Sequence, residues 1–280
     1  MRTLISTEDL ANRLGSPDLV VCDVRHDLQK PDAWGEDAYR AGHLPGAVFV
    51  HLDRDLSAPR TGRNGRHPLP TPEAAAAVFG RLGVAAGKEV VAYDQGPGMY
   101  AARLWWMLRW LGFESAAVLD GGFAKWKAEG RATATDIAQP APATFAIRRV
   151  TPTVSATGVA ASLARRALVL VDARAPERFR GETEPLDPVA GHIPGARNRP
   201  FMQNLDADGT FKPPAFLRAE FDALLDGTSH ELVVHHCGSG VTACHNLLAM
   251  EVAGLGETRL YPGSWSEWCS DPARPIAVGP

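Results

Sequence analysis

The feature that most limits what this chain can fold into is that it contains itself twice. Asp23-Val24-Arg25 recurs as Asp172-Ala173-Arg174, and GHLPGA at 42–47 recurs as GHIPGA at 191–196, both at an offset of 149. Further along, EVVAYDQGPGMYAA from Glu89 aligns with ELVVHHCGSGVTAC from Glu231, and Gly121 to Trp126 with Gly263 to Trp268, at an offset of 142. The second copy is therefore seven residues shorter. A chain of 280 residues divided this way has room for two domains, each able to bury its own core.

Within each copy, short apolar runs alternate with helix-like segments. DLVVCDVR, EVVAYD and SAAVLDGG in the first copy, and ALVLVDAR, ELVVHH and TRLYPGS in the second, read as buried parallel strands. Helix signals lie between them: Thr71-Pro72 supplies a cap and first-turn residue ahead of EAAAAVFGRLG, with Gly83 past its end. The class implied is α/β, two tandem domains, each a parallel sheet flanked by helices. Residues 132–152, rich in Pro, Thr and Ala and without a helical stripe, read as a linker. The expected domains are 1–131 and 153–280.

Composition removes several functional classes. With net charge −3 and 22% charged residues, no basic stripe argues for nucleic acid. No apolar stretch has the length of a secretory signal or a membrane span, so the chain is expected in the cytoplasm and not at a membrane. In that compartment Cys22, Cys237, Cys244 and Cys269 are expected as reduced thiols.

Cys237 stands out by position. It ends the apolar run from Glu231 to His236 and precedes a helical pattern from Thr242 to Val252, with Ala243, Leu247 and Met250 on one face and Gly254 as its stop. Gly238 and Gly240 allow the intervening turn to curl with backbone N–H groups inward, a nest that favours an anion at a helix N-terminus. A thiolate is such an anion, and Ser239 and Thr242 add hydroxyl donors. The first copy has Gln95 at the cysteine position and Asp94 at that of His236, so only the second copy has a nucleophile there.

These residues resemble the tandem-domain rhodanese family of sulfurtransferases, and CGSGVTAC at 237–244 looks like the active loop of its mercaptopyruvate-using members. GHLPGA, GHIPGA, RLWWMLRWLGF at 103–113, LDGGFAKW at 119–126 and YPGSWSEW at 261–268 extend the resemblance over both halves. It implies that Cys237 takes a sulfur atom from a small anionic donor, carries it as a persulfide and passes it to cyanide or to a thiol such as that of thioredoxin. No cofactor and no metal are implied. Gly238, Gly240, Val241, Thr242 and Ala243 would line the donor pocket. Ser239, His67 in RHPLP and Asp53 in VHLDRDLS match a proton relay, and Arg178 in ERFRG matches a carboxylate clamp.

Two positions bear on the donor. Ser239, not a basic residue, stands two positions past the cysteine, which favours 3-mercaptopyruvate over the dianion thiosulfate. A second clamp arginine expected just after Glu184-Pro185 is replaced by Leu186, which leaves Arg180, Arg199, Arg60, Arg63 or Arg66 as substitutes. Thiosulfate stays the alternative donor.

Other readings are weaker. A phosphatase on the same fold needs a Cys-x5-Arg loop, and Ala243 stands six residues after Cys237. A sulfur-carrier module without turnover suits the first copy, with Gln95, and not the second. His235, His236, Cys237, Cys244 and His245 straddle strand, turn and helix without a zinc-type pair, so core and loop roles are expected of them. Cys244 is a packing residue by default, with a redox partnership to Cys237 as its other reading. Trp105, Trp106, Trp110, Trp265 and Trp268 are read as packing residues.

Overall fold

The computed structural model describes residues 3–30, 32–165 and 167–280. They form two compact units. One holds the chain up to Ala58, Pro70–Thr151 and Ala207–Phe211, and the other holds Pro59–Leu69, Pro152–Asp206 and Lys212–Pro280. In the first, strands β1 (Leu4–Ile5), β2 (Leu19–Asp23), β3 (Val48–Phe49), β4 (Glu89–Tyr93) and β5 (Ala116–Leu119) pair in parallel in the order β1-β5-β4-β2-β3. Its helices are α1 (Thr7–Ala11), α2 (Trp34–Ala41), α3 (Leu52–Asp55), α4 (Pro72–Arg81), α5 (Met99–Trp110) and α6 (Gly122–Ala128). In the second, β6 (Val169–Asp172), β7 (Arg197–Asn198), β8 (Val233–His236) and β9 (Arg259–Leu260) run parallel in the order β7-β6-β8-β9. Its helices are α7 (Ala156–Arg165), α8 (Pro176–Phe179), α9 (Pro214–Leu225), α10 (Thr242–Val252) and α11 (Ser264–Trp268).

Parallel strands need crossovers, and helices supply them, so the central strands are covered on both faces. That is why their sequences are unbroken apolar runs rather than alternating ones. Every residue of β5 and of β8 is buried. The first core gathers Ile5, Leu10, Val21, Leu44, Tyr93, Leu119 and Trp126, and the second Val159, Leu170, Ile193, Val234, Tyr261, Trp265 and Trp268. Trp105, Trp106 and Trp110 are buried on α5, the last two stacked at 5.9 Å.

Local signals account for most boundaries. Thr71 Oγ1 accepts the Ala74 N–H at 3.2 Å, Pro72 opens α4, and Gly83 takes φ +80° beyond its end. Helix α10 spans Thr242–Val252 as expected, but its burial is not confined to one stripe. Every residue from Ala243 to Met250 is buried, because β8 packs against the helix along with α9 and the 3-10 turn at Phe201–Asn204. The strand expected from Glu231 begins at Val233, since His230–Leu232 form a 3-10 turn.

Residues 132–152 form no helix, yet they are anchored. Ala134 bridges His43 through N–H···O bonds of 2.8 and 2.9 Å, and the buried Phe145 ring lies 5.2 Å from Phe79 and 5.8 Å from Phe113. The composition that denies this stretch a helix does not deny it packing against the first unit.

The repeated motifs prove to be one structural device. Arg25 Nη2 donates to Asp23 Oδ2 at 2.6 Å and to the Gly42 carbonyl at 2.7 Å, while Arg174 Nη2 donates to Asp172 Oδ2 and the Gly191 carbonyl, both at 2.7 Å. A buried ion pair thus ties the end of β2, or of β6, to the first glycine of GHxPGA. The next residue stacks its imidazole on a ring one helix back, His43 on Tyr39 and His192 on Phe179. Losing one partner of such a buried pair costs about 3–5 kcal/mol.

The copies diverge after β4 and β8. In the first, the fully buried Asp94 carboxylate accepts four backbone N–H groups, from Gly96 (3.0 Å), Gly98 (2.9 Å), Tyr100 (2.8 Å) and Ala101 (3.3 Å). The N-terminus of α5 is therefore already supplied with an anion from its own chain. Gln95 is tied to the backbone of His26, donating to its carbonyl at 2.9 Å. Because each unsatisfied buried donor costs about 1–3 kcal/mol, Asp94→Ala is expected to lower stability by roughly 3 kcal/mol or more and Asp94→Asn by less. The shift in denaturant midpoint checks this.

Candidate active site

The turn between β8 and α10 is shaped by one residue. Gly240 has φ +76°, and a Cβ there would lie 2.3 Å from the Pro262 carbonyl oxygen, so no side chain fits. This conformation directs the Gly240 N–H at Cys237 Sγ, 3.2 Å away, and leaves the Gly240 carbonyl to accept from Cys244 Sγ at 3.3 Å. Val241 precedes the helix, and its carbonyl accepts the Cys244 N–H at 3.0 Å. Thr242 is the first helical residue, half-buried, followed by the buried Ala243.

The other side of the turn is splinted by the start of α11. The Cys237 N–H donates to Ser264 Oγ at 3.1 Å, and the Cys237 and Gly238 carbonyls accept from Trp265 N and Ser266 N, both at 2.9 Å. Ser264 sits at φ +55°, uncommon for a residue with a Cβ, and its hydroxyl holds it by donating to the Tyr261 carbonyl at 3.0 Å. Sequence reasoning missed Ser264; the turn chemistry of Pro262-Gly263-Ser264 was the available signal.

Ser239 faces a histidine. Its Oγ lies 2.7 Å from His67 Nδ1, and both residues are buried. His67 belongs to Pro59–Leu69, which docks along the start of α11: Arg66 N donates to Ser266 Oγ at 3.0 Å, and Gly65, at φ +86°, lies close enough that a Cβ would meet the Gly263 carbonyl at 2.8 Å.

Gly238 differs from the expectation that it frees the backbone. Its missing side chain instead leaves room for charge, since a Cβ there would lie 2.7 Å from Arg66 Nη2 and 3.5 and 3.6 Å from the Arg178 guanidinium nitrogens. Arg178 donates to Glu184 Oε1 at 2.6 Å and Oε2 at 3.2 Å, and Arg66 forms an ion pair with Asp187. Arg66, one of the arginines named as substitutes for the second clamp, is therefore part of this cluster. Arg180 pairs with the exposed Glu182 and Arg199 with Glu220, so both are engaged in other pairs. Burial pushes the Asp187 carboxyl up, with Arg66 opposing that shift. Glu184 also accepts from Leu186 N, Asp187 N and Arg174 Nη1, at 3.0, 3.1 and 3.3 Å.

Cys237 is 2% exposed, its sulfur accepting the Gly240 N–H and its backbone N–H donating to Ser264 Oγ. Burial pushes the Cys22 thiol up to about 12, with Asp23 adding to it, and the Cys269 thiol up to about 11, with Asp187 and Glu184 adding to it. The nest is sparser than expected, with Gly240 supplying the N–H that meets the sulfur.

Asp53 is carried by the other unit, in α3. Its N–H donates to His51 Nδ1 at 3.1 Å, and its carboxylate lies 3.9 Å from His26 Nε2. The second unit thus brings together Cys237, Gly238, Ser239, Gly240, Val241, Thr242, Ala243, His67 and Arg178. Of the histidines near the cysteine, His235 Nε2 meets Met250 Sδ at 3.0 Å and His245 Nδ1 meets Asn204 at 3.1 Å. Burial drives His235 down to about 3, helped by His236, and it also lowers His236 against the pull of Asp172. Among the described residues these side chains do not converge to ligating range.

Residues 6–129 and 155–271 each match the model of the family described as Rhodanese-like domain. The chain is 49% identical to a Pseudomonas aeruginosa protein described as a probable 3-mercaptopyruvate sulfurtransferase, over 99% of this chain and 98% of the relative. It is 37% identical to the human 3-mercaptopyruvate sulfurtransferase, over 95% of this chain and 92% of the human protein. The solved 3-mercaptopyruvate sulfurtransferase from Leishmania major superposes with a TM-score of 0.82 at 30% identity, covering 95% of this chain and 74% of that one. Two matched segments, with parallel-sheet units to hold them, place this chain in the rhodanese-like domain family.

Proposed function

We propose that this chain is a sulfurtransferase that moves sulfur from 3-mercaptopyruvate, through a persulfide on Cys237, to a thiophilic acceptor. The observation that carries this reading is the Ser239–His67 hydrogen bond of 2.7 Å, made two residues from a cysteine whose sulfur receives a backbone N–H.

The Cys237 thiolate attacks the donor's sulfur, the sulfur–carbon bond breaks, and its electron pair leaves on carbon as the enolate of pyruvate. Ser239, backed by His67, delivers the proton that converts the enolate to pyruvate, and Asp53 is assigned to the same relay. The persulfide then gives its outer sulfur to cyanide or to a thiol such as that of thioredoxin, restoring the Cys237 thiolate. The Gly240 N–H faces the sulfur throughout, where hydrogen bonding stabilises negative charge. Gly238, Val241, Thr242 and Ala243 line the donor pocket, with Arg178 on the donor's carboxylate. We assign residues 153–280 the catalytic domain, 132–152 the connecting stretch and 1–131 a domain without a nucleophile. Four free thiols suit the reducing cytoplasm.

Thiosulfate, which would leave as sulfite, is the alternative donor, and a neutral Ser239 engaged with His67 disfavours a dianion. Three outcomes test the assignment. Cys237→Ser is expected to abolish pyruvate release from 3-mercaptopyruvate; turnover by that variant removes the proposed nucleophile. Ser239→Lys, which adds a cation and breaks the His67 bond, should lower kcat/KM for 3-mercaptopyruvate by about tenfold or more and move the donor ratio toward thiosulfate. Gly240→Ala forces a Cβ against the Pro262 carbonyl at a positive φ, so it should lower the melting temperature and also reduce activity about 100-fold, as misplacing a reacting group does.

A further inference from the structure

A carboxylate donor held by one arginine is held loosely, and the position where the sequence led us to expect a second cation is Leu186. Its backbone N–H is committed to Glu184, and its side chain is 40% exposed. The cation arrives instead from a segment 120 residues upstream. The Arg66 guanidinium presents Nη2 to the open side of Gly238, next to the cysteine, and the Arg178 guanidinium approaches the same point, with nitrogens 2.7, 3.5 and 3.6 Å from where a Cβ would stand.

Both groups are held from behind. Asp187 pairs with Arg66 through Oδ1 and lies 3.5 Å from Arg178 through Oδ2, and Glu184 holds Arg178. The two carboxylates are each 3% exposed, while the arginine side chains are 20% and 17% exposed. The acids are thus enclosed, while the arginine side chains keep part of their surface open. One carboxylate spanning two guanidinium groups also fixes their separation, and it leaves five-donor forks with N–H groups to offer a second anion.

We infer that Arg66 is the second cation of the donor site, binding the donor's carboxylate together with Arg178, with Asp187 as the positioning residue that sets their spacing. This inference rests on the proposed sulfurtransferase function. It identifies the ligand class as a compact carboxylate; the sulfonate end of thiosulfate offers related oxygens, and the two donors are separated by measuring both. The role differs from that of loop docking. Arg66 also precedes His67, and a residue that only placed His67 would affect proton delivery and hence kcat.

The test is steady-state kinetics of full-length Arg66→Gln and Arg66→Lys with each donor, together with inhibition by pyruvate, whose carboxylate probes the site without sulfur chemistry. Arg66→Gln is expected to raise KM for 3-mercaptopyruvate and the pyruvate inhibition constant together, by about tenfold, with the loss falling chiefly on KM. Arg66→Lys, which keeps the charge and loses the fork, should fall between wild type and Arg66→Gln. A KM within twofold of wild type, or a fall in kcat alone, overturns the inference while leaving the sulfurtransferase reading intact. Absence of pyruvate release by the unmodified enzyme would instead sink that reading and this inference with it. Should Arg66→Gln fail to fold, an unchanged pyruvate constant in Arg66→Lys is the overturning result.

Discussion

The contact between the Gly240 backbone and the Pro262 carbonyl is the constraint on which the rest of the site hangs. Only a residue without a Cβ can pass there, and only at positive φ does its N–H point back at Cys237 Sγ while its carbonyl turns to Cys244. The splint from Ser264, Trp265 and Ser266 acts on the same turn from the other side. A sulfur carrying charge, or a second sulfur atom, needs fixed donors that do not reorganise during the reaction. A turn pinned on both sides by backbone groups meets that requirement better than one built from rotatable side chains.

Duplication explains how such a turn coexists with a twin that has Gln95 at the cysteine position. In both copies the Asp-x-Arg and GHxPGA motifs form the same buried ion pair and the same ring stack, which brace the strand next to the turn. The brace therefore belongs to the fold, and the copies differ in the turn that leaves β4 or β8. In the first copy the anion at the helix N-terminus is the chain's own Asp94, satisfied by four amides. In the second the corresponding residue is His236, buried and held below the usual imidazole range, and the space next to it goes to Cys237.

Charge at the site is assembled from segments far apart in sequence. Arg66, Arg178, Glu184 and Asp187 alternate in sign, so the guanidinium groups are oriented at little cost in mutual repulsion. Arg174 extends the chain of contacts: it is paired with Asp172 below the turn and also donates to Glu184. The brace common to both copies is in this way joined to residues that are specific to the second.

What the sequence determined by itself was everything expressed as periodicity or as a residue type with one structural use. The repeat, the parallel strands as unbroken apolar runs, the Thr71 cap, the span of α10 and the singular position of Cys237 were all legible, because each arises from local geometry. What only tertiary structure decided was which distant groups meet. Arg66 rather than Leu186 beside Gly238, Asp187 as the shared acid, and the packing of 132–152 onto the first unit carry no local signal. An arginine in an exposed loop and one in an ion-pair cluster look the same in a sequence; the difference lies in the carboxylate that folding brings to one of them.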